Sequence, residues 1–89
     1  MSKKSLLLYH LVYVLINEKI FIKSFGERLR QIRLSKNLSQ AELAHSAEIP
    51  INQVGRIERG EINTTLTTIK VLADSLDIPI TAFFIDLNG

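Results

Sequence analysis

The sequence predicts an all-α domain of five helices with an apolar arm ahead of it. Three observations carry that reading. From Phe25 onward apolar residues recur at helical spacing in separate stretches, residues that start and stop helices stand between those stretches, and 89 residues suffice for one compact core but not two. The chain accordingly divides into residues 1–23, an apolar N-terminal arm, and residues 24–89, the domain.

Within the arm, Leu6 to Ile16 is the most apolar run and follows Lys3 and Lys4 as in a signal peptide. No small-residue cleavage site follows it, and the run is shorter than the ~20 residues that cross a bilayer. Its β-branched and aromatic content suits a β-hairpin turning at Asn17-Glu18-Lys19, while its unbroken apolarity suits a single helix. Periodicity leaves both open. On so small a domain, such an arm is expected to cover the core or to meet a second subunit.

The first helix of the domain follows from Phe25, Leu29 and Ile32 at i, i+4 and i+7, with Arg28, Arg30, Gln31 and Lys36 outside the stripe. Asn37 tolerates the left-handed backbone that ends a helix. Ser39-Gln40-Ala41-Glu42 then has the form of a capping box and opens the second helix, whose buried side is Leu43, Ala44 and Ala47. Pro50 cannot lie inside a helix, so the chain turns over 48–50 and a third helix occupies about 51–59, stopped by Gly60. Leu66, Ile69, Leu72, Ala73 and Leu76 mark the fourth, with Asn63, Thr64 and Thr65 as candidate caps. Residues 78–84, opened by Pro79, form a short fifth helix with Ile80, Phe83 and Phe84 as core or partner contacts.

Composition narrows the function. There is no cysteine, which removes disulfides and thiolate chemistry and fits a reducing cytoplasm. His10 and His45 lack ligand spacing, so no metal and no cofactor is expected. No Gly-rich phosphate loop, carboxylate pair or Ser-His-Asp set is identifiable, so the chain is not expected to be an enzyme. Charge is divided along the chain. Residues 28–59 carry six basic and three acidic side chains, whereas residues 60–89 carry one basic and four acidic. A cationic face would therefore belong to the first helices.

Two short helices joined by a tight turn form the geometry that holds a helix in the DNA major groove. In the third helix Val54 and Ile57 define an inward direction, which places Asn52 and Arg59 opposite it and Gly55 and Arg56 about 50° to either side. The stretch FGERLRQIRLSKNLSQAELAHSAEIPINQVGRIERG, followed by TTLTTIKVLADSLDIPITAFF, resembles the lambda-repressor-like helix-turn-helix family of Cro and Xre type. The likeness covers residues 25–84, and LSQAELA, RIERG and LADSLDIP stand at the family's spacing.

That resemblance implies a five-helix fold and a homodimer on a palindromic double-stranded DNA operator, with the two third helices in successive major grooves ~34 Å apart. It implies base reading by Ile51, Asn52, Gln53 and Arg56, with the backbone at Gly55 able to approach DNA closely. It implies phosphate contacts from Ser39, Gln40, Arg59, Asn63 and Thr64, and a structural ion pair between Arg33 and Glu58. Three departures stand out: Glu48 in the turn where the family often has Gly, Pro50 where it often has a Ser or Thr cap, and a net charge of −1 over residues 24–89.

The expected function is a small transcriptional regulator, a repressor acting in the cytoplasm at the nucleoid and not at a membrane. A restriction-modification controller, or an antitoxin that represses its own operon and binds a toxin, shares this pattern. So does a helix-turn-helix fold used for protein interaction. Glu61 is a candidate acidic contact for polymerase, and the fifth helix, the C-terminal tail and the arm are candidate dimer surfaces.

Overall fold

The computed structural model describes residues 2–85 and contains four α-helices: α1 (Lys3–Ser35), α2 (Gln40–Ala47), α3 (Ile51–Glu58) and α4 (Leu66–Ser75). The predicted fifth helix is a single 3₁₀ stretch, Ile80–Phe84. Pro79 precedes it, no side chain caps it, and five residues are too few to build i→i+4 turns of any length. The last four residues, part of the expected dimer surface, lie outside the described residues.

The arm is helical and runs without a break into the first predicted helix, so α1 holds 33 residues. The hairpin alternative fails for a physical reason. Helix formation is limited by nucleation, and the packed residues of α1 supply the nucleus from which the Leu-rich arm extends. Ser2 caps the start, its hydroxyl accepting from the Ser5 N–H. Residues 3–20 are exposed throughout, which stretches the molecule to 52 × 25 × 19 Å.

The core lies where the second half of α1 meets the other elements. Phe25, Leu29 and Ile32 from α1 pack with Leu43, Ala44 and Ala47 from α2, Val54 and Ile57 from α3, Leu72 and Ala73 from α4, and Leu76 and Phe83 beyond it. Phe25 meets Phe83 edge to face at 5.2 Å between ring centroids, and Phe84 stacks on Phe21 and Phe25. The Arg28 Nε–H donates to the Ala82 carbonyl and ties the 3₁₀ stretch to α1.

All four helices end in the same manner. Asn37, Glu48, Gly60 and Asp77 adopt left-handed backbone, with φ of 58°, 58°, 71° and 55°. At each end the amides of that residue and the next donate back to carbonyls three and five residues earlier, as Asn37→Leu34 and Leu38→Arg33 illustrate. Leu38, Ile49 and Ile78, the residues after three of these positions, fold back against the core. Glu48 therefore holds the turn between α2 and α3 in a conformation that costs an ordinary L-residue about 1 kcal/mol.

Gly26 is where α1 and α3 come closest. A Cβ there would lie 2.2 Å from the Ile57 carbonyl oxygen and 2.8 Å from that of Glu58. Gly60 makes a second close approach, to Lys23. Two opposite changes in stability are expected. Gly26→Ala forces backbone apart and should cost about 2 kcal/mol or more despite its better helix propensity. Glu48→Gly relieves the left-handed strain and should gain about 0.5 kcal/mol after the added chain entropy of glycine. Urea midpoints of the two variants against the parent chain check both signs.

Candidate nucleic-acid interface

The N-terminus of α2 is built by a capping box. The Ser39 hydroxyl accepts from the Glu42 N–H at 3.0 Å, and Glu42 Oε1 accepts from the Ser39 N–H at 3.0 Å. The backbone and hydroxyl of Ser39 hold the Glu42 carboxyl below its ordinary pKa.

Gln40, the first residue of α2, is anchored from below. Its Nε2 donates to Glu58 Oε1 at 3.0 Å. The same carboxylate receives a two-pronged contact from Arg33, with Nε to Oε2 at 2.7 Å and Nη2 to Oε1 at 2.9 Å. Arg33 Nη1 also donates to the Leu38 carbonyl. Arg33 and Glu58 are both buried, and the hydrogen bond that Arg33 donates to Glu58 raises the Arg33 pKa. One Gln40 amide hydrogen is thus committed to the interior, and the other is left for a ligand.

The outer face of α3 carries Ile51, Asn52 and Arg56, all exposed, with Gln53 half-buried at its flank. Pro50 precedes the helix without any side-chain cap, so its first amides have no side-chain acceptor. Gly55 departs from the face predicted for it: it is buried. A Cβ on it would meet Arg59 Nη1 at 2.9 Å and Gln40 Oε1 at 3.5 Å. The missing side chain therefore makes room for Arg59 and Gln40 to converge, and the helix backbone there is roofed by side chains.

Arg59 hydrogen-bonds Glu61, and Arg56 Nε lies 4.0 Å from the same carboxylate. The Arg59 hydrogen bond holds the Glu61 carboxyl below its ordinary pKa, and Glu61 raises that of Arg59. Glu61, read from the sequence as a candidate acidic contact for polymerase, is exposed and is shared by the two arginines of the predicted DNA surface. A tight turn at Gly60 brings it there, and the wheel of a single helix could not show this.

Asn63 and Thr64 do not cap α4. That role belongs to Thr65, whose hydroxyl accepts from the Thr68 N–H. Asn63 and Thr64 line a recess with Phe21, Ile22, Phe25, Ile69 and Phe84. The structure thus gathers Ser39, Gln40, Gly55 and Arg59 at the start of α2, and sets Ile51, Asn52 and Arg56 along α3. Among the described residues no group of His, Asp or Glu could hold a metal ion.

A helix whose polar outer face is displayed beside a donor-rich helix N-terminus is a groove-reading arrangement, and the helix-turn-helix family profile matches residues 29–83. The chain belongs to the helix-turn-helix family. Control protein C.BamHI of Bacillus amyloliquefaciens is 40% identical over 55 residues, 61% of this chain and 68% of that protein. The immunity repressor of Bacillus phage phi105 is 33% identical over 57 residues, 64% of this chain but 40% of the repressor. Among solved structures, the restriction-modification controller C.AhdI from Aeromonas hydrophila is 41% identical with a TM-score of 0.70, over 71% of this chain and 96% of that one. This helix-turn-helix chain is a DNA-binding transcriptional regulator.

Phosphates would compete with Glu61 for Arg56 and Arg59. Glu61→Gln should therefore strengthen binding to duplexes of every sequence, with a steeper fall of affinity with salt. Fluorescence anisotropy with two unrelated duplexes at several salt concentrations checks this, and unchanged affinity would show that the carboxylate is no competitor.

Proposed function

We propose that this helix-turn-helix regulator is a homodimeric repressor that reads a palindromic operator in the cytoplasm, at the nucleoid. The observation that carries this reading is the juxtaposition of two surfaces: exposed Ile51, Asn52 and Arg56 on α3, and Ser39 with the anchored Gln40 at the start of α2. Asn52 suits a bidentate contact to adenine and Arg56 one to guanine, while Ile51 offers apolar contact to a thymine methyl and Gln53 a flanking amide. Ser39, Gln40 and Arg59 hold phosphate on one flank, and Asn63 and Thr64 hold it on the other. Residues 1–23 act as an appendage to the DNA-reading unit of residues 24–89.

The controller-type variant of this role is supported by the likeness to C.AhdI, 96% of whose chain is covered at 41% identity. A regulatory, non-enzymatic role of this kind is proposed here.

Selection from a randomised duplex pool, followed by salt titration of the enriched site, tests the proposal. Asn52→Ala and Arg56→Ala should each lose about 1–3 kcal/mol and relax preference at one base pair. Arg59→Ala should weaken all sequences alike and reduce the salt slope by about 1. Equal loss on every sequence for Arg56→Ala would make it a phosphate ligand and remove the base-reading assignment.

A further inference from the structure

Eighteen residues of α1, Lys3 to Ile20, project exposed from the domain, with none of the other described elements packed against them. By length and composition alone, α1 passes for a membrane-crossing helix. The placement of the domain argues against that occupant. Phe21 stacks on Phe84, and Ile22 and Lys23 pack at Asn63 and Gly60, so the apolar stretch free of the domain is Leu6 to Ile16. Its rise of about 16 Å is half of a ~30 Å hydrocarbon core, and Asn17, Glu18 and Lys19 follow directly. The face opposite Leu8, Leu11 and Leu15 carries Tyr9, His10 and Tyr13, not the row of lysines and arginines of a helix that lies in a membrane surface.

The arm does share a seam with the core. Phe25, Leu29 and Ile32, buried in the domain, extend backwards at alternating steps of three and four residues through Ile22, Glu18, Leu15, Leu11 and Leu8 to Lys4. A 3.5-residue repeat is the pattern by which one helix receives another. In the domain that seam is covered. On the arm, Leu8 is 60% exposed, Leu11 53% and Leu15 49%. Leu7 and Val14 flank it, so the uncovered stripe is aliphatic, with Lys4 at one end and Glu18 at the other.

We propose that this stripe is an interface for the arm of a second copy of the chain, packed antiparallel about Leu11. In that arrangement Leu8 and Leu15 of the two arms interleave, and Lys4 of each arm lies across from Glu18 of the other. A parallel pair would set Lys4 against Lys4 and Glu18 against Glu18, so charge selects the antiparallel direction. Five side chains from each arm would bury roughly 1,000 Å² in total, the lower bound for a specific interface. The antiparallel pair sends the two domains to opposite ends, with their Phe21 residues about 30 Å apart along the helix axes. C.AhdI is matched over 96% of its length by 71% of this chain, so more than a quarter of this chain lies outside that match. The interface therefore adds an association step to whatever pairing the domain itself makes, and it stands on the arm's geometry whether or not α3 reads bases.

Because the chain contains no cysteine, cross-linking can be aimed. Lys4→Cys and Glu18→Cys chains, oxidised separately and as a mixture, are compared with Leu11→Cys. Disulfide dimers from the mixture and from Leu11→Cys, with little from Lys4→Cys or Glu18→Cys alone, are expected. A second variant, Leu8→Asp with Leu11→Asp and Leu15→Asp, alters only exposed positions. In sedimentation it should lose one association step while keeping the unfolding midpoint of the domain. Self-cross-linking of Lys4→Cys would establish parallel arms and overturn the proposal, as would failure of every cysteine variant to cross-link. Flotation of the parent chain with phosphatidylglycerol-phosphatidylcholine vesicles would overturn it in favour of lipid. Loss of sequence selection by Arg56→Ala leaves the cross-linking result untouched, so failure here is distinguishable from failure of the DNA-reading role.

Discussion

The buried contact between Arg33 and Glu58 holds the helix-turn-helix together. One guanidinium reaches the Glu58 carboxylate through two nitrogens and the Leu38 carbonyl through the third, and the carboxylate in turn accepts from Gln40. Four side-chain hydrogen bonds thus join α1, the loop after it, the first residue of α2 and the last residue of α3. Both charged groups are shielded from water, so each depends on the other. Removing one partner of such a pair costs about 3–5 kcal/mol, because the remaining charge is stranded. Van der Waals packing fills the core on the other side of α3, but it is directionless. The planar fork of arginine against a carboxylate sets an orientation, and it delivers Gln40 to the surface in a fixed pose.

The helix ends do for the backbone what that pair does for the side chains. Four helices stop in four left-handed residues, only one of which is glycine. Each stop closes two hydrogen bonds, and three of them return an apolar side chain to the core. The turn between α2 and α3 is the one that matters most for function. Glu48 accepts backbone strain there, Ile49 packs half-buried beside it, and Pro50 starts α3 in a new direction. Strain stored in a turn of three residues fixes the angle at which α3 is displayed, and tight side-chain packing of Ala44 and Ala47 keeps α2 close enough to use it.

Electrostatics at the interface are restrained. Residues 24–89 sum to a charge of −1, and the two arginines on the outer side of α3 share a carboxylate before any DNA arrives. Such a surface has a weak general attraction for phosphate, which places the weight of recognition on directed contacts. In the proposed phosphate contact Gln40 would act at short range through a neutral donor, and Gly55 gives Arg59 the space to lie beside it. The exposed arm carries four lysines against one glutamate, net +3 over residues 1–23, and its effect on DNA binding would come through that charge and through the number of domains brought to one site.

Much of this was legible in the chain. The capping box at Ser39, the break at Pro50, the stop at Gly60 and the left-handed residue at Asn37 are local rules, decided within a few residues of backbone. The core positions from Phe25 to Phe83 follow from helical periodicity, because a helix buries one stripe regardless of what covers it. Tertiary structure alone decided the rest. Gly55, on the outer half of its own helix, is covered by the side chains of Arg59 and Gln40. Glu61 reaches two arginines only because the chain reverses at Gly60. Gly26 is required because two carbonyls of α3 come within 3 Å of where its side chain would be. The arm could be read as strand or helix until its attachment to a nucleated helix settled it. Local sequence specifies where helices begin, end and hide a face, since those choices depend on neighbouring residues. Which surface atoms then meet depends on approaches between residues distant in the chain, and no local pattern encodes those.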